Sequence, residues 1–201
     1  MSVTLKASFQ VTPQKGLLIR ARIENADAAD ILVLDRLWKQ DKANHPQLDP
    51  ELAYRFERDG SLRVLLGAAP LPRLKHALYR NVPWATRVPA GKALEREVTL
   101  APPLKEYSIY FPEESPQSYE PKTVALVYLL VDYLVVTPDL VITPSPVDAT
   151  ALRIEEPVLA LTRAVRLIHS DAVEPVEVLR RTDEFDRLEL PGEDPEPLQL
   201  T

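Results

Sequence analysis

Cysteine is absent from all 201 residues, which excludes disulfides, Cys-ligated zinc, iron–sulfur clusters and thiol catalysis. Glycine is scarce, at 5 residues, and no two glycines lie closer than seven positions apart. A G-x-G dinucleotide turn and a P-loop are therefore impossible, and a nucleotide-binding α/β fold is disfavoured. The three histidines, His45, His76 and His169, show neither H-x-H nor H-E-x-x-H spacing. No serine sits in a G-x-S-x-G turn, although a Ser-His-Asp site assembled from distant positions stays open. Long apolar runs are lacking too. The most apolar segment, Val124 to Val136, contains Asp132 and falls short of the roughly 20 residues a spanning helix needs. Residues 1–11 alternate apolar and polar, unlike the unbroken core of a signal peptide. The chain reads as soluble and cytoplasmic, with no membrane partner and no cofactor.

Proline, by contrast, is abundant at 20 residues, about twice the usual ~5%. The apolar fraction of 45% and charged fraction of 27% are ordinary globular values. Period-two alternation dominates, which is the strand signature. Residues 3–11 and 17–24 alternate cleanly, and 31–38 read as a third strand. Leu52, Tyr54 and Phe56 lead through Asp59-Gly60 to Leu62, Val64 and Leu66. This is a hairpin, because Asp-Gly tolerates the positive φ of a tight turn. Residues 84–88, 93–100 and 104–111 read as further strands, with Arg96 interrupting the inward set of Leu94, Val98 and Leu100. Proline-rich loops separate them.

Residues 123–136 form the strongest strand, and both of its faces are apolar. Both must be covered: one by an opposing sheet, the other by the C-terminal segment or by a second copy of the protein. Asp132 is the exception. It is either at a bend, the favoured reading, or buried with a partner. Residues 151–181 fit a helix opened by Pro157 or a strand; the strand reading is preferred. A faint echo supports it, since 23–36 and 168–181 both read as strand, polar turn, strand and Arg.

The expected architecture is all-β, an immunoglobulin-like β-sandwich with room for a short helix or extra hairpin in the C-terminal segment. The pattern with Pro-Ala-Gly-Lys before Leu94 resembles bacterial immunoglobulin-like sandwiches, a likeness of fold that implies no chemistry. Residues 1–145 form the sandwich, 146–190 a C-terminal segment packed on it, and 191–201 an acidic mobile tail.

Charge is unevenly placed. The net charge is −6, and the whole excess lies in residues 151–201. Between Asp59 and Glu95 there is no acid, but there are six cations, Arg63, Arg73, Lys75, Arg80, Arg87 and Lys92. This window is a solvated loop, a partner for the acidic C-terminus, or a surface for anions or nucleic acid. A pI of about 5.2 weighs against nucleic acid. Trp and Arg are enriched at the energetic centres of interfaces, so Arg73, Lys75, His76, Tyr79, Arg80, Trp84 and Arg87 form the candidate partner-binding set. Trp84 reads first as core packing and is, within the window, the residue most open to exposure for a partner; Trp38 is expected to pack in the core or at its rim. Two other groups carry weaker signals. Asp41, Asn44, His45, Asp49 and Glu51 crowd one loop but lack the ligand spacing of a known metal loop, and Glu95 and Glu97 share a strand face. The chain is thus read as a non-enzymatic protein-binding module, with self-association among the options. The alternatives are an enzyme site assembled from scattered residues, or anion binding through residues 60–94.

Overall fold

In the computed structural model, which describes residues 2–71, 81–111 and 118–182, the period-two segments become strands. In chain order they are β1 (Val3–Val11), β2 (Leu17–Asn25), β3 (Ile31–Arg36), β4 (Trp38–Gln40), β5 (Pro46–Leu48), β6 (Tyr54–Arg58) and β7 (Ser61–Leu66). There follow β8 (Trp84–Val88), β9 (Ala93–Leu100), β10 (Leu104–Lys105), β11 (Tyr119–Val135), β12 (Ile142–Pro144) and β13 (Leu152–Ile154). A single helical turn, α1 (Pro157–Leu161), precedes β14 (Val165–Arg181). The protein is all-β, in several sheets, none of which closes into a barrel. No helix among the described residues is long and apolar enough to cross a membrane.

Strands β1, β2 and β9 form an antiparallel three-stranded sheet. The larger sheet is built on β11 and β14, two 17-residue strands paired antiparallel along their length. The other edge of β11 is shared. Its middle, Leu126–Val131, pairs with β7 in parallel, and its last residues pair antiparallel with β3. The sheet therefore forks, one branch continuing to β6 and the other through β8 and β13 to β12.

The two sheets stack through one apolar cluster. Leu17, Ile19, Ala21 and Ile23 of β2 meet Leu62, Val64 and Leu66 of β7 and Val127, Leu129 and Val131 of β11. Each fully buried Leu, Ile or Val contributes about 1.5–3 kcal/mol. Arg96, which breaks the apolar pattern of β9, crosses the gap to pair with buried Asp35 of β3 and donates to Thr86 Oγ1 at 2.6 Å.

The second face of β11 is covered within the chain rather than by another copy. Leu130 packs with Tyr54, Phe56, Leu65, Tyr107 and Phe111. Leu134 packs with Leu32, Leu34, Ala68, Leu161 and Ala164. Three expectations are thereby corrected. Residues 104–111 are a strand only at Leu104–Lys105; their aromatics turn inward to cap β11. The irregularity in β11 lies between Val124 and Leu126 and not near Asp132, which stays in register opposite Arg166. Residues 168–181 contain no turn and belong to one continuous strand. Within 151–181 both readings meet. Pro157 opens a helical turn, where its fixed φ and missing N–H fit, and β14 follows.

The Asp59-Gly60 hairpin forms as expected, with φ of 52° and 75° between β6 and β7. A Cβ on Gly60 would meet nothing within 4 Å, so only backbone strain opposes a side chain there. Gly60→Val is expected to cost about 1–2 kcal/mol, read as a lower urea midpoint with unchanged slope. An unchanged midpoint would contradict the turn assignment.

Candidate interaction groove

The β4–β5 hairpin and the start of β8 bring the two tryptophans together. Leu37 points into the cluster beneath β11, and the alternation that follows turns Trp38 and Gln40 to the other side. Asp41 Oδ1 accepts from the N–H groups of Ala43 at 2.8 Å and His45 at 2.9 Å. With Asn44 at φ 62°, this folds the chain back so that β5 pairs with β4 and sets Leu48 opposite Trp38. Strand β8 begins at Trp84, immediately after Pro83, and pairs Trp84 with Arg36 across an irregular register.

The indoles of Trp38 and Trp84 stack with centroids 5.5 Å apart and planes 7° from parallel. Trp38 Nε1 donates to the Val82 carbonyl at 2.8 Å, and Asn81 Nδ2 donates to the Trp38 carbonyl at 3.3 Å. Ile154 of β13, with Pro146 and Pro157, faces them across a cavity of about 300 Å³ that Pro46 and Pro83 also line. At its rim Arg153 pairs with Glu155 at 3.4 Å. Leu48 at 41% and Val147 at 47% exposure extend the apolar surface on either side, next to Trp38 and Pro146 respectively. Flat rings, proline edges and few free polar groups suit contact with an apolar or proline-bearing chain, and offer little for acid–base work.

A second cavity, of about 250 Å³, lies where β6, β10 and β14 converge, lined by Arg55, Lys105, Glu106, Tyr107 and Arg181 among others. Its charges are spent on the fold. Arg55 donates to the Lys105 and Glu51 carbonyls at 2.8 and 3.1 Å and pairs with the Glu51 carboxylate. The Tyr107 hydroxyl donates to Asp49, and Arg181 Nη1 donates to the Phe111 carbonyl at 2.9 Å. Glu106 accepts from Glu57 N–H at 2.6 Å and Arg181 N–H at 2.8 Å, with Arg58 at 3.5 Å. Burial nevertheless pushes its carboxyl up to about 7.

Of the candidate partner-binding set, Arg73, Lys75, His76, Tyr79 and Arg80 lie outside the described residues. Trp84 is only 4% exposed, as the core-packing reading has it and not the reading of a ring open to a partner; it forms a wall of the groove. Arg87 stands three residues on, half exposed and bonded through Nε to Asp30 at 2.7 Å, so it does not join Trp84. Glu95 and Glu97 pair with Arg22 and Arg20 across β2 and β9 on an exposed face. In the loop after β4, Asp41 closes its turn, whereas Asp49 points inward to Lys39 at 3.2 Å and to Tyr107. Among the described residues no three His, Asp or Glu side chains converge as metal ligands. Sequence reasoning singled out Trp84 but missed its union with Trp38, 46 residues earlier, which no local pattern encodes. Comparison with protein-family models, curated proteins and solved structures finds no match to the chain.

Proposed function

We propose that the protein is a non-enzymatic interaction module that holds an extended, proline-bearing protein segment in the groove between Trp38, Trp84 and the Pro146–Pro157 wall. The stacked tryptophans carry this reading. Aromatic-lined grooves recognise polyproline II segments because such segments are already extended and lose little entropy on docking. The four lining prolines leave the groove walls few backbone donors. In architecture we read the two stacked sheets as an immunoglobulin-like sandwich, with the parallel pairing of β7 and β11 as an addition to the antiparallel pattern of that fold.

The test is fluorescence anisotropy of a fluorescein-labelled peptide of proline with leucine at every third position. Leu48→Asp and Val147→Asp change only exposed rim positions, and each is expected to weaken binding about tenfold, equivalent to about 1.4 kcal/mol. Binding that survives both substitutions unchanged, or no saturable binding to the unaltered protein, would overturn the proposal. Trp84→Ala is a poor probe, since a buried ring is lost along with any contact.

A further inference from the structure

We propose that the free edge of β1 pairs with β1 of a second copy, antiparallel about a two-fold axis at Ala7, so that two three-stranded sheets join as one of six strands. No residue of β1 lines the groove, so the two surfaces are separate. The direction of the backbone groups, the residues along β1 and the contrast with the other open edges identify the occupant.

Among the described strands only β2 pairs with β1, over nine residues and without a bulge. Two hydrogen bonds at its ends fix the phase. Ala26 N–H donates to the Ser2 carbonyl at 3.2 Å, and Thr12 N–H donates to the Gly16 carbonyl at 2.9 Å. Bonded residues alternate along an antiparallel pair. Even-numbered residues therefore address β2, and the N–H and C=O groups of Val3, Leu5, Ala7, Phe9 and Val11 point to the open edge. These positions are symmetric about Ala7. The two-fold axis sets Ala7 against the partner's Ala7, Leu5 against the partner's Phe9 and Val3 against the partner's Val11, each pair exchanging two hydrogen bonds. The side chains agree with this register. Leu5, Ala7, Phe9 and Val11 pack on the central cluster yet stay half-buried, and Phe9 stacks on His169 of the facing sheet with centroids 6.2 Å apart. The partner's matching row continues that apolar layer across the axis. On the outer face Lys6, the one charge in β1, meets the partner's Ser8, and Thr4 meets the partner's Gln10, so no like charges oppose each other. The other open edges are guarded against pairing. β9 carries Glu95, Arg96 and Glu97. Beyond its short contact with β10, β14 carries exposed Asp171, Glu174 and Pro175, the last without an N–H. β1 holds no proline, glycine or acid. Pairing of β1 with itself also closes, whereas pairing with β9 or β14 of another copy would leave an edge open and propagate.

The full chain is compared with Ala7→Pro, Ser8→Lys and Lys6→Glu/Ser8→Lys by sedimentation velocity across protein concentration. The Ala7 N–H faces outward, where an edge strand tolerates proline, and Lys6 and Ser8 are exposed. Thermal melts check that folding is equal, and Ser8→Lys carries the test if proline disturbs the monomer. The unaltered protein is expected to rise from 22.6 kDa to twice that mass and no further. Ala7→Pro removes the central pair of hydrogen bonds and should stay monomeric. Ser8→Lys sets two cations against each other twice across the axis and should weaken the dimer about tenfold. Adding Lys6→Glu turns both contacts into ion pairs and should restore it. Amide exchange reads the register. The N–H groups of Leu5, Ala7 and Phe9 should slow as concentration rises, while those of Lys6 and Ser8, already bonded to β2, should not change. A mass of 22.6 kDa at every concentration up to about 1 mM would overturn the proposal. So would a mass that grows beyond two copies, or a dimer that Ser8→Lys and Ala7→Pro leave unchanged, which would assign association to another surface.

Discussion

Asp132→Ala is expected to destabilise the protein by about 3–5 kcal/mol, the cost of leaving a buried cation without its partner. Asp132 and Arg166 face each other across β11 and β14 and are almost fully buried. Arg166 Nε donates to Oδ1 at 2.7 Å and Nη2 to Oδ2 at 2.8 Å, while Ala68 N–H donates to Oδ2 at 3.0 Å. The pair sits on the covered face between Leu130 and Leu134 and so separates the two apolar clusters there. Room for it comes from Gly67. A Cβ at that position would lie 2.2 Å from Asp132 Oδ2, and three hydrogen bonds hold the carboxylate in place.

Gly67→Ala is therefore strongly destabilising in the unaltered protein and much less so beside Asp132→Ala. A double-mutant cycle should return a coupling of about 1–3 kcal/mol. The pair itself adds little net stability, since Arg166 Nη1 is buried without a hydrogen bond and desolvation offsets much of the attraction. Asp132→Leu with Arg166→Met should accordingly recover most of the loss caused by Asp132→Ala. Urea unfolding of the set measures these differences. Additive costs for Gly67→Ala and Asp132→Ala would contradict the close approach.

Stability is expected to fall by about 3 kcal/mol between pH 4.5 and pH 7, because each unit of pKa shift corresponds to about 1.4 kcal/mol. The group responsible is Glu106, raised from 4.5 to about 7 by burial against the opposing pull of two backbone N–H donors and of Arg58 and Arg180. Over that interval the folded state holds a proton that the unfolded state has released. The stabilisation is complete below pH 4.5 and is lost as pH rises through 7. The half-buried carboxylates of Asp30 and Asp148 act in the opposite direction and at lower pH. Hydrogen bonds from Ala90 and Arg87 lower Asp30, and those from Thr150 lower Asp148, so their contribution disappears only in acid. Glu106→Gln should abolish the slope between pH 5 and 8. Gln also turns an NH₂ toward one of the two backbone donors, so the variant should be less stable than the unaltered protein at pH 5. A wild-type profile flat from pH 5 to 8 would refute the assignment.

Much of the fold was legible because strands bury alternate residues. The periods of 3–11, 17–24 and 93–100 became β1, β2 and β9, and Asp59-Gly60 turned where its backbone freedom allowed. Two irregularities in the pattern also carried information. Asp132 and Arg96, polar residues on apolar faces, each proved to be half of a buried or partly buried ion pair. The sequence could not name their partners, because Asp35 and Arg166 lie 61 and 34 residues away and pairing at such distances is settled by sheet topology. The aromatics of 104–111 misled for a related reason. Their apolar character answers to the uncovered face of β11 and not to a strand of their own. Of the groove, Trp84 was visible as an unusual residue in an acid-free window. Its stacking partner was not, since the ring that covers it arrives from β4.

Local alternation, turn chemistry and the missing residue types were enough to make the protein all-β and to leave no cysteine thiol, P-loop or G-x-G turn in the sequence. Tertiary structure alone decided which strands are neighbours: the fork in the sheet, the parallel pairing of β7 with β11, and the meeting of Trp38 with Trp84. Side-chain periodicity records which face of a strand is buried, but a backbone hydrogen bond carries no mark of the strand that will receive it.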